Sequence, residues 1–401
     1  MRAALQRGGV LTLALCAAAC GAREVSQPPL VALVALDSLA AARCGAWGHA
    51  RATTPHLDAL AAEGVRFADA SSQSSWTLPS IASLFTGLEQ ERHGLRHLDG
   101  RLSAHLPLLA ERFAAAGWST RAVVQTPVLR SSTGLGRGFD DYRVLGLGNA
   151  DAREALERAL AAVAACDTTP LFLYLHLAPP HMPYQPPPPF AGRFVEDGVG
   201  ESAVDGSIAA CRAVHELGLG PEHPDMLRLA AHYDEHVAFA DGLLGEFVAG
   251  LPPGREALIV VLSDHGEAFG QHGAQGHNTQ VHREMLHVPL VVAARPRGRL
   301  AARVVEAPVS LLDLAPTLLE RFGLSPLGDD APGRSLAPWL DGTEPTQEPR
   351  TLRFSSRYRR RADDLQLGMR VGDLSLVLAD GGARAALYDL ANDPGETRDL
   401  C

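Results

Sequence analysis

Lysine is absent from this chain of 401 residues, so all 36 basic residues are arginines. This absence excludes any mechanism in which a lysine acts as a nucleophile or a proton carrier. The arginines are outnumbered by 46 acidic residues, which gives a net charge of −10. Proteins that bind nucleic acid in bulk carry the opposite sign, so we expect no nucleic-acid partner.

Cysteine is also scarce, with six residues and no Cys-x-x-Cys pair or Cys/His cluster that would indicate a zinc knuckle. Four of them, Cys44, Cys166, Cys211 and Cys401, follow the N-terminal segment. In an oxidising compartment four cysteines allow three connectivities, and the sequence does not choose among them. We expect mainly buried thiols, with at most one bridge.

Long hydrophobic runs are missing, because no segment reaches the ~18 uninterrupted apolar residues of a membrane-spanning helix. The first residues instead combine two arginines with a short apolar stretch that ends at Cys20, and Ala17–Cys20 resembles a bacterial lipobox. We predict a lipoprotein-type signal peptide over residues 1–20 and an exported protein, periplasmic or at the cell surface, anchored to a membrane only through lipid on Cys20. Since Ala17 stands where such boxes usually carry Leu, cleavage without lipid near Ala19 or Ala22 stays open.

Hydrophobic residues make up 46% of the chain, enough for a sizeable core. Continuous apolar runs, typical of strands buried on both faces, alternate with helical patterns. This alternation predicts an α/β fold with a large, mainly parallel sheet and helices on both faces. The predicted strands are Leu30–Leu36, Arg121–Thr126, Leu171–Leu177, Ala257–Leu262 and Val288–Ala294. The predicted helices are Pro55–Glu63, Leu106–Ala116, Ala152–Ala165, Met226–Ala249 and Ser310–Phe322.

Three regions depart from this alternation. Pro179–Pro189 and Phe190–Pro224 lack periodicity and are predicted to be long loops. From Arg350 onward short alternating runs predict a small antiparallel sheet subdomain over residues 350–401. On the long helix, His232 and His236 are expected to lie on an exposed face.

Two acidic residues follow predicted strands directly. Asp37 follows Leu30–Leu36, and Asp264, with His265 after it, follows Ala257–Leu262. Ligands of open α/β sheets bind outside the carboxyl ends of the strands, so the two acids and the histidine indicate a divalent-metal site at one rim. For either acid taken alone, the alternative to a metal ligand is a solvated residue at the end of its strand.

A short helix after Thr77 is the third feature. Pro79 is expected at the first position of this helix and Gly87 just after its last position. Thr77 would then lie just before the N-terminus of the helix, where the helix dipole favours an anion. A hydroxyl held by a metal at such a place is an activated nucleophile. The alternative is that Thr77 only caps the helix.

These features together resemble the sulfatase family of the alkaline phosphatase superfamily, and the likeness covers most of residues 30–400. It is carried, in order, by VALVALDSLAAARCGAWGHARATTPHLDALAAEGVRFADA, SSWTLPSIASLFTG, LFLYLHLAPPHMPY, LIVVLSDHGEAFGQHGAQGH, HREMLHVPLVV, VSLLDLAPTLLERFG and LYDLANDPGETRDL. The resemblance implies a catalytic domain over residues 30–345 and a small C-terminal subdomain over residues 350–401. It also implies a metal-dependent ester hydrolase.

The resemblance assigns roles to individual residues. Thr77 occupies the position of the Cys or Ser that sulfatases convert to formylglycine and would be the nucleophile. His181 and His277 would contact the substrate oxyanion or protonate the leaving group. One divalent ion is implied, with Zn²⁺ preferred because imidazole suits it, and Ca²⁺ or Mn²⁺ as alternatives. The implied metal ligands are Asp37, Thr77, Asp264 and His265.

Departures from the family pattern bear on the substrate. Thr77 cannot become formylglycine, since its oxidation would give a ketone, and Ile81 replaces the Arg that neutralises a sulfate. Ser38 stands where many sulfatases use a second metal-binding Asp. Thr nucleophiles are those of the phosphodiesterases of this superfamily, and a diester carries one negative charge fewer than a monoester. We therefore expect a small-molecule, glycan or lipid phosphate ester, preferably a diester, as substrate.

Two other interpretations remain. The first is a sulfate-ester hydrolase that works without formylglycine, because members of this superfamily cross-react between phosphate and sulfate. The second is a non-catalytic lipoprotein that keeps the fold to bind an anionic glycan or partner. The retained acids and Thr77 argue against this last hypothesis, since a pure binding protein needs no nucleophile beside a metal.

Overall fold

The structure is a computed structural model that describes residues 28–328, 330–346, 350–356 and 365–401. The predicted signal peptide and Cys20 lie outside these residues. Across the described ranges, no helix has both the length and the apolar character required to cross a membrane.

Nine strands form the central sheet, in the order β10-β2-β9-β6-β1-β5-β3-β4, with β11 beside β2. All their pairings are parallel except those of β9, which runs antiparallel to both β6 and β2. The expected mainly parallel sheet is thus confirmed. Its strands are β1 (Leu30–Leu36), β2 (Val65–Ser71), β3 (Ser119–Val124), β4 (Asp141–Val144), β5 (Leu171–Leu177), β6 (Ala257–Leu262), β9 (His287–Arg295), β10 (Arg303–Val305) and β11 (Val309–Ser310). A separate two-stranded ribbon pairs β7 (Ala268–Phe269) with β8 (Gln275–Gly276).

Ten α-helices surround the sheet in the described residues. They are α1 (Pro55–Glu63), α2 (Thr77–Thr86), α3 (Gln90–His93), α4 (Leu109–Ala115), α5 (Asn149–Ala165), α6 (Ile208–Glu216), α7 (Pro224–Ala249), α8 (Arg283–Leu286), α9 (Leu314–Arg321) and α10 (Ala337–Leu340). The expectation that Phe190–Pro224 is all loop was wrong, because this range contains α6. In the helix expected over Ser310–Phe322, Ser310 belongs to the short strand β11, and a 3-10 turn over Leu311–Asp313 leads directly into α9.

Side chains of the central strands alternate between two cores. On one face, Val31, Leu33 and Ala35 of β1 pack in a cluster with apolar residues of α2, α4 and α9. On the other face, the intervening residues of β1 pack with α1, α5 and α7. Since Asp37 follows Ala35 by two residues, the same alternation directs it to the α2 side of the sheet.

Helix α7 is more deeply buried than its sequence suggested. His236 is buried and bonds through Nε2 to the side chain of Asn149 at 3.2 Å, and His232 lies beside the buried Glu235. The expectation that His232 and His236 lie on an exposed face was therefore wrong. The loop over residues 190–206 covers that face, since the Glu235 carboxylate accepts hydrogen bonds from the backbone of Phe194 and Val195.

The C-terminal residues form the expected small antiparallel sheet. Its strands, in their order across the sheet, are β12 (Thr351–Ser356), β13 (Gln366–Val371), β14 (Leu374–Ala379) and β15 (Arg384–Asp389). Apolar residues of this sheet pack against Val281 and Leu286 of the larger part of the chain. Where one domain ends and the other begins, between residues 345 and 350, stays a prediction.

The four cysteines of the described residues are free thiols. Cys44, Cys166 and Cys211 are buried and join the core on the α7 side of the sheet, while Cys401 is exposed. The buried cysteines thus act as small apolar side chains, as expected.

A histidine pair joins the C-terminal sheet to the larger part. The ring of His272 stacks on that of His282 with 3.7 Å between centroids. The Nδ1 of His272 faces a Glu284 carboxylate oxygen at 2.8 Å, and its Nε2 faces the carbonyl of Glu396 at 2.8 Å. Burial alone would lower the pKa of His272, but Glu284 outweighs it and raises the pKa to about 9.

We expect this imidazolium to make stability depend on pH. Because the folded pKa lies above the unfolded value of about 6.5, the stabilisation is complete below pH ~6.5 and is lost as pH rises through about 9. After allowance for partial exposure, its size is about 1–2 kcal/mol. Urea unfolding from pH 6 to 10 should show this loss in the wild type and much less of it in His272→Ala. The exposed His105→Ala should keep the wild-type profile, and equal profiles in all three proteins would contradict the assignment.

Candidate active site

Asp37, Asp264 and His265 meet at one rim of the central sheet. Strands β1 and β6 are direct neighbours, so the residues that follow them come together at their carboxyl ends. All three side chains are buried, and each offers one donor atom within 4.8 Å of the others. The three predicted metal ligands from the strand ends thus form a single cluster.

The donor atoms of this cluster lie close to one another. The Nδ1–H of His265 donates to the Gly266 carbonyl at 2.9 Å, which leaves Nε2 as a lone pair. That Nε2 lies 3.5 Å from Asp37 Oδ1 and 3.5 Å from Asp264 Oδ2. The latter oxygen accepts no hydrogen bond from a described residue. Lone pairs directed at a shared buried point repel unless a cation separates them, so the cluster fits a divalent metal.

The charges of the cluster influence each other strongly. Burial, together with the negative charge of Asp264, raises the pKa of Asp37 well above its usual range. Burial also opposes ionisation of Asp264, but His265 and His176 outweigh it and lower the pKa of this carboxyl. Two carboxylates this close are costly to bury in the ionised form without a positive partner.

Thr77 lies beside this cluster as the first residue of α2, so it is part of the helix, and Pro79 is the third residue instead of the expected first. The Thr77 Oγ1 atom lies 3.2 Å from His265 Nε2 and 3.5 Å from Asp37 Oδ1. One turn on, the Ser80 hydroxyl donates to the Asp264 carbonyl at 2.6 Å and ties the helix to the end of β6. The hydroxyl therefore faces both the metal donors and the N-terminal end of a helix dipole.

The rings of His181 and His277 lie in a row beside His265, with His277 in the middle and the rings tilted against one another. The ring centroid of His277 lies 4.5 Å from that of His265 and 4.9 Å from that of His181. The Nδ1–H of His277 donates to Glu267 at 3.0 Å, and that of His181 donates to the Met182 carbonyl at 2.7 Å. The sequence argument missed the buried Glu267, although it follows His265 by only two residues.

The two histidines differ in proton affinity. Burial, reinforced by the nearby His277, lowers the pKa of His181 to about 4, so this imidazole is neutral at pH 7. Burial also disfavours the charged form of His277, but Glu267 outweighs it and raises the pKa of His277. The arrangement therefore combines one imidazole whose proton affinity is raised, His277, with one whose proton affinity is lowered, His181.

A cavity of about 670 Å³ opens onto Thr77, His181 and His277. None of the described residues that line this cavity is acidic, although the whole chain has a net charge of −10. Arg212 and His215 of α6 add basic groups to its wall, and the remainder combines apolar side chains such as Trp76, Leu147 and Met182 with uncharged polar ones. Such a lining suits an anion attached to a largely apolar or ring-shaped group.

Two of the three departures from the family pattern, Ser38 and Ile81, have structural roles. The backbone N–H of Ser38 donates to Asp264 at 3.1 Å, and its hydroxyl donates to Asp37 at 3.0 Å. Ile81 is buried within the hydrophobic core, so no charge reaches the cavity from that position. Ser38 thus holds the two carboxylates, and neither residue neutralises a substrate.

One residue near the cluster was missed. His176 of β5 is buried, with Nε2 3.8 Å from Asp264 Oδ2 and 3.9 Å from Asp37 Oδ2. It lay inside a run taken as a core strand, LFLYLHL, but the alternation of that strand places it on the α2 side with Phe172 and Tyr174. A polar residue on the same face as Asp37 was the signal that could have found it.

Comparison with known proteins gives a consistent picture. The family model for sulfatases matches residues 29–324. A Delta 4,5-hexuronate-2-O-sulfatase of Bacteroides thetaiotaomicron is 24% identical over 97% of this chain and 87% of its own. An ulvan-active sulfatase of Formosa agariphila is 25% identical over 82% of this chain and 68% of its own. The crystal structure of a phosphonate monoester hydrolase of Agrobacterium radiobacter shares the fold, with a TM-score of 0.73, 22% identity, and coverage of 93% of this chain and 91% of that one.

The sulfatase match covers well over half of the chain, including both strand ends, Thr77, His181 and His277. The protein therefore belongs to the sulfatase family of ester hydrolases.

Proposed function

We propose that this protein is a metal-dependent hydrolase of phosphate esters, preferably diesters, with Thr77 as its nucleophile. The observation that carries the proposal is the position of the Thr77 hydroxyl, 3.2 Å from His265 Nε2 and 3.5 Å from Asp37 Oδ1 at the start of α2. A residue that only capped the helix would not need this contact with metal donors.

The proposed metal ligands are Asp37, Thr77, Asp264 and His265. A divalent ion held by them would favour the alkoxide form of the Thr77 hydroxyl and neutralise charge on the group transferred. An imidazole among the donors favours Zn²⁺ over Ca²⁺, with Mn²⁺ intermediate in donor preference.

The side chains suggest how the reaction proceeds. The Thr77 oxygen attacks phosphorus as the alkoxide, the form in which the second step also releases it. The bond from phosphorus to the oxygen of the leaving alcohol breaks, and the His277 imidazolium gives its proton to that leaving oxygen. The N-terminal end of α2 stabilises the phosphoryl oxygens. A water molecule then attacks the phosphothreonine at phosphorus and gives a proton to the neutral His277, which releases a phosphate monoester and restores Thr77. A threonine sulfate lacks the formylglycine route of release, which favours phosphate over sulfate.

A sulfate ester is the second candidate substrate. The matched relatives from B. thetaiotaomicron and F. agariphila are named as sulfatases of a hexuronate and of ulvan. Their names favour a glycan ester, and the acid-free cavity would accept a sulfate as well as a phosphate. A glycan-linked ester is therefore the substrate group to examine under either candidate.

Turnover of three nitrophenyl esters by the purified protein tests the proposal. The substrates are a phosphate diester, the phosphate monoester and the sulfate, each with Zn²⁺, Mn²⁺ or Ca²⁺ added singly and with a chelator. We expect the diester to react fastest and only with a divalent metal. Faster turnover of the sulfate would favour the second candidate. Absence of both turnover and bound metal would favour a binding protein instead.

Arg212 is the basic residue best placed to select the substrate. It is an arginine in the cavity wall, exposed on α6. We expect Arg212→Gln to raise KM about fivefold, or about 1 kcal/mol, for esters with a second negative group, because one charged contact is lost. KM for a neutral aryl ester should not change. Arg158→Gln, on the outer surface of α5, is the control, and an equal rise for neutral esters would contradict this role.

We also propose that the protein is exported and held at a membrane by lipid on Cys20. The bacterial sulfatase relatives support export, and the lipobox-like segment supports the anchor. Incorporation of radiolabelled palmitate by the wild type, and its loss in Cys20→Ala, would be the expected result.

A further inference from the structure

We propose that Ser356 of the C-terminal sheet is a positioning residue, whose hydroxyl holds the segment of His277 against the segment of Thr77. The inference rests on the proposed function, in which Thr77 attacks phosphorus and His277 gives a proton to the leaving oxygen. Ser356 is the last residue of β12, and Gln366, which pairs with it on β13, lines the active-site cavity. This end of the C-terminal sheet therefore reaches the site.

The first observation is a chain of two hydrogen bonds that passes through Ser356. The Ser75 hydroxyl donates to Ser356 Oγ at 2.8 Å, and the Ser356 hydroxyl donates to the Asn278 carbonyl at 3.1 Å. Ser75 and Ser356 are fully buried. A buried polar group that loses its partner is costly, so the chain of bonds holds the three residues in one arrangement.

The second observation is the place of these bonds relative to the reacting groups. Ser75 precedes Thr77 by two residues, and Asn278 directly follows His277. A backbone bond also joins the two segments, since the Asn278 N–H donates to the Ser75 carbonyl at 2.7 Å. Both backbone polar groups of Asn278 are therefore bonded, the N–H to Ser75 and the carbonyl to Ser356.

The third observation is the backbone conformation of Asn278. Its φ of 69° lies in the left-handed region, which residues other than glycine rarely adopt. Such a conformation persists where the surrounding contacts hold it. The bonds to Ser75 and Ser356 are contacts of this kind, and they fix the turn that follows His277.

Loss of the Ser356 hydroxyl should displace His277 more than Thr77. Thr77 belongs to α2, which the Ser80 hydroxyl ties to the Asp264 carbonyl at 2.6 Å. His277 lies instead between the two-residue strand β8 and the turn at Asn278. The proton transfer from His277 is therefore the step that depends on Ser356.

The effect of the leaving group on kcat/KM tests this inference. Phenolate is a poor leaving group that needs a proton, whereas nitrophenolate leaves as the anion, so the two phosphate diesters differ in their need for His277. We expect Ser356→Ala to lower kcat/KM about tenfold for methyl phenyl phosphate and by less than about twofold for methyl nitrophenyl phosphate. His277→Gln should show the same pattern with a larger loss for the phenyl diester.

Ser355→Ala and Ser375→Ala are the matched controls. Ser355 is the neighbouring buried serine of β12, and its hydroxyl has no hydrogen-bond partner among the described residues. Ser375 is a buried serine of β14 whose hydroxyl donates to Glu396 at 2.6 Å. Ser375→Ala should lower the melting temperature, as Ser356→Ala does, but both controls should keep the wild-type kcat/KM for the two diesters.

Ser75→Ala provides a second variant, because it removes the bond that Ser356 accepts. It should also lower kcat/KM for the phenyl diester more than for the nitrophenyl diester. The double variant Ser75→Ala/Ser356→Ala should lose no more than Ser356→Ala, since both hydroxyls act through the same chain of bonds. Losses that multiply in the double variant would mean that the two serines act independently and would overturn the inference.

The remaining outcomes also decide the matter. Equal losses for both diesters in Ser356→Ala would overturn the inference, because a general loss of structure does not depend on the leaving group. An unchanged phenyl diester in Ser356→Ala, beside a loss in His277→Gln, would overturn it and leave the proposed function intact. A wild type that turns over neither diester would overturn both the inference and the proposed function on which it rests.

Discussion

Thr77→Ala will lower kcat/KM for a phosphate diester by about a thousandfold or more, since deletion of a nucleophile removes the first covalent step. The loss will be in kcat, because the cavity wall that binds the substrate is unchanged. The Thr77 hydroxyl makes two hydrogen-bond contacts in the described structure, to His265 and to Asp37, so we expect its removal to lower the free energy of unfolding by only about 1–2 kcal/mol. Steady-state kinetics and urea unfolding of the same preparation separate the two effects.

Two further variants at position 77 make this prediction specific. Thr77→Val keeps the shape of the side chain but lacks the hydroxyl, and it should be as inactive as Thr77→Ala. Thr77→Ser keeps the hydroxyl and should retain activity within about tenfold. Acid quenching with a radiolabelled diester should trap phosphate on the wild type and on Thr77→Ser alone. Turnover by Thr77→Val at the wild-type rate would show that water attacks the ester directly.

Much of the fold follows from the residues of the central strands. Leu30–Leu36, Leu171–Leu177 and Ala257–Leu262 have the same bounds in the prediction and in the structure. Continuous apolar runs of this kind are stable only between two helical layers, so their position in the sheet could be predicted. The acids that follow them had to lie at one rim, because neighbouring parallel strands end together.

Other features depend on contacts between distant segments, which periodicity does not encode. The strand at His287–Arg295 runs antiparallel, and its direction depends on packing against β2 and β6. His236 is buried because Asn149, 87 residues away in sequence, reaches its ring. His176 was read as part of a core strand. Its place on the same face as Asp37 was a signal, but its distances to the two carboxylates depend on how β5 and β6 pack beside β1.

Asp234, which lies between His232 and His236 on α7, illustrates how a distant segment supports the site. The carboxylate of Asp234 on α7 is fully buried and bonds to His49 at 3.2 Å and to Arg51 at 2.8 Å, with Arg43 at 3.4 Å. The adjacent Tyr233 hydroxyl donates to the Ser38 carbonyl at 2.7 Å. Together the two residues hold the segment after β1, which carries Asp37, against the long helix.

Asp234→Ala should therefore reduce both stability and metal binding. Removal of one partner from a buried charge network leaves the other charges uncompensated, which costs about 3–5 kcal/mol. Because two of its partners, Arg43 and Arg51, are partly exposed, we expect the lower part of that range. Urea unfolding measures it, and Glu246→Ala on the same helix, which removes only an exposed ion pair with Arg153, should stay within about 0.5 kcal/mol of the wild type.

Zn²⁺ affinity shows whether Asp234 positions the metal ligands or only stabilises the fold. Zn²⁺ affinity is measured at a temperature where Asp234→Ala is fully folded. If Asp234 holds the Asp37 segment in place, this affinity should fall by about tenfold in the variant. Loss of a residue that orients a metal ligand typically has an effect of this size. Tyr233→Phe removes the bond that the hydroxyl donates to the Ser38 carbonyl and the bond that it accepts from the Ala40 backbone N–H. It should therefore lower stability by about 1–3 kcal/mol and change Zn²⁺ affinity in the same direction. Wild-type affinity in both folded variants would mean that α7 stabilises the fold without positioning Asp37, and the carboxylate pair would then depend on Ser38 alone.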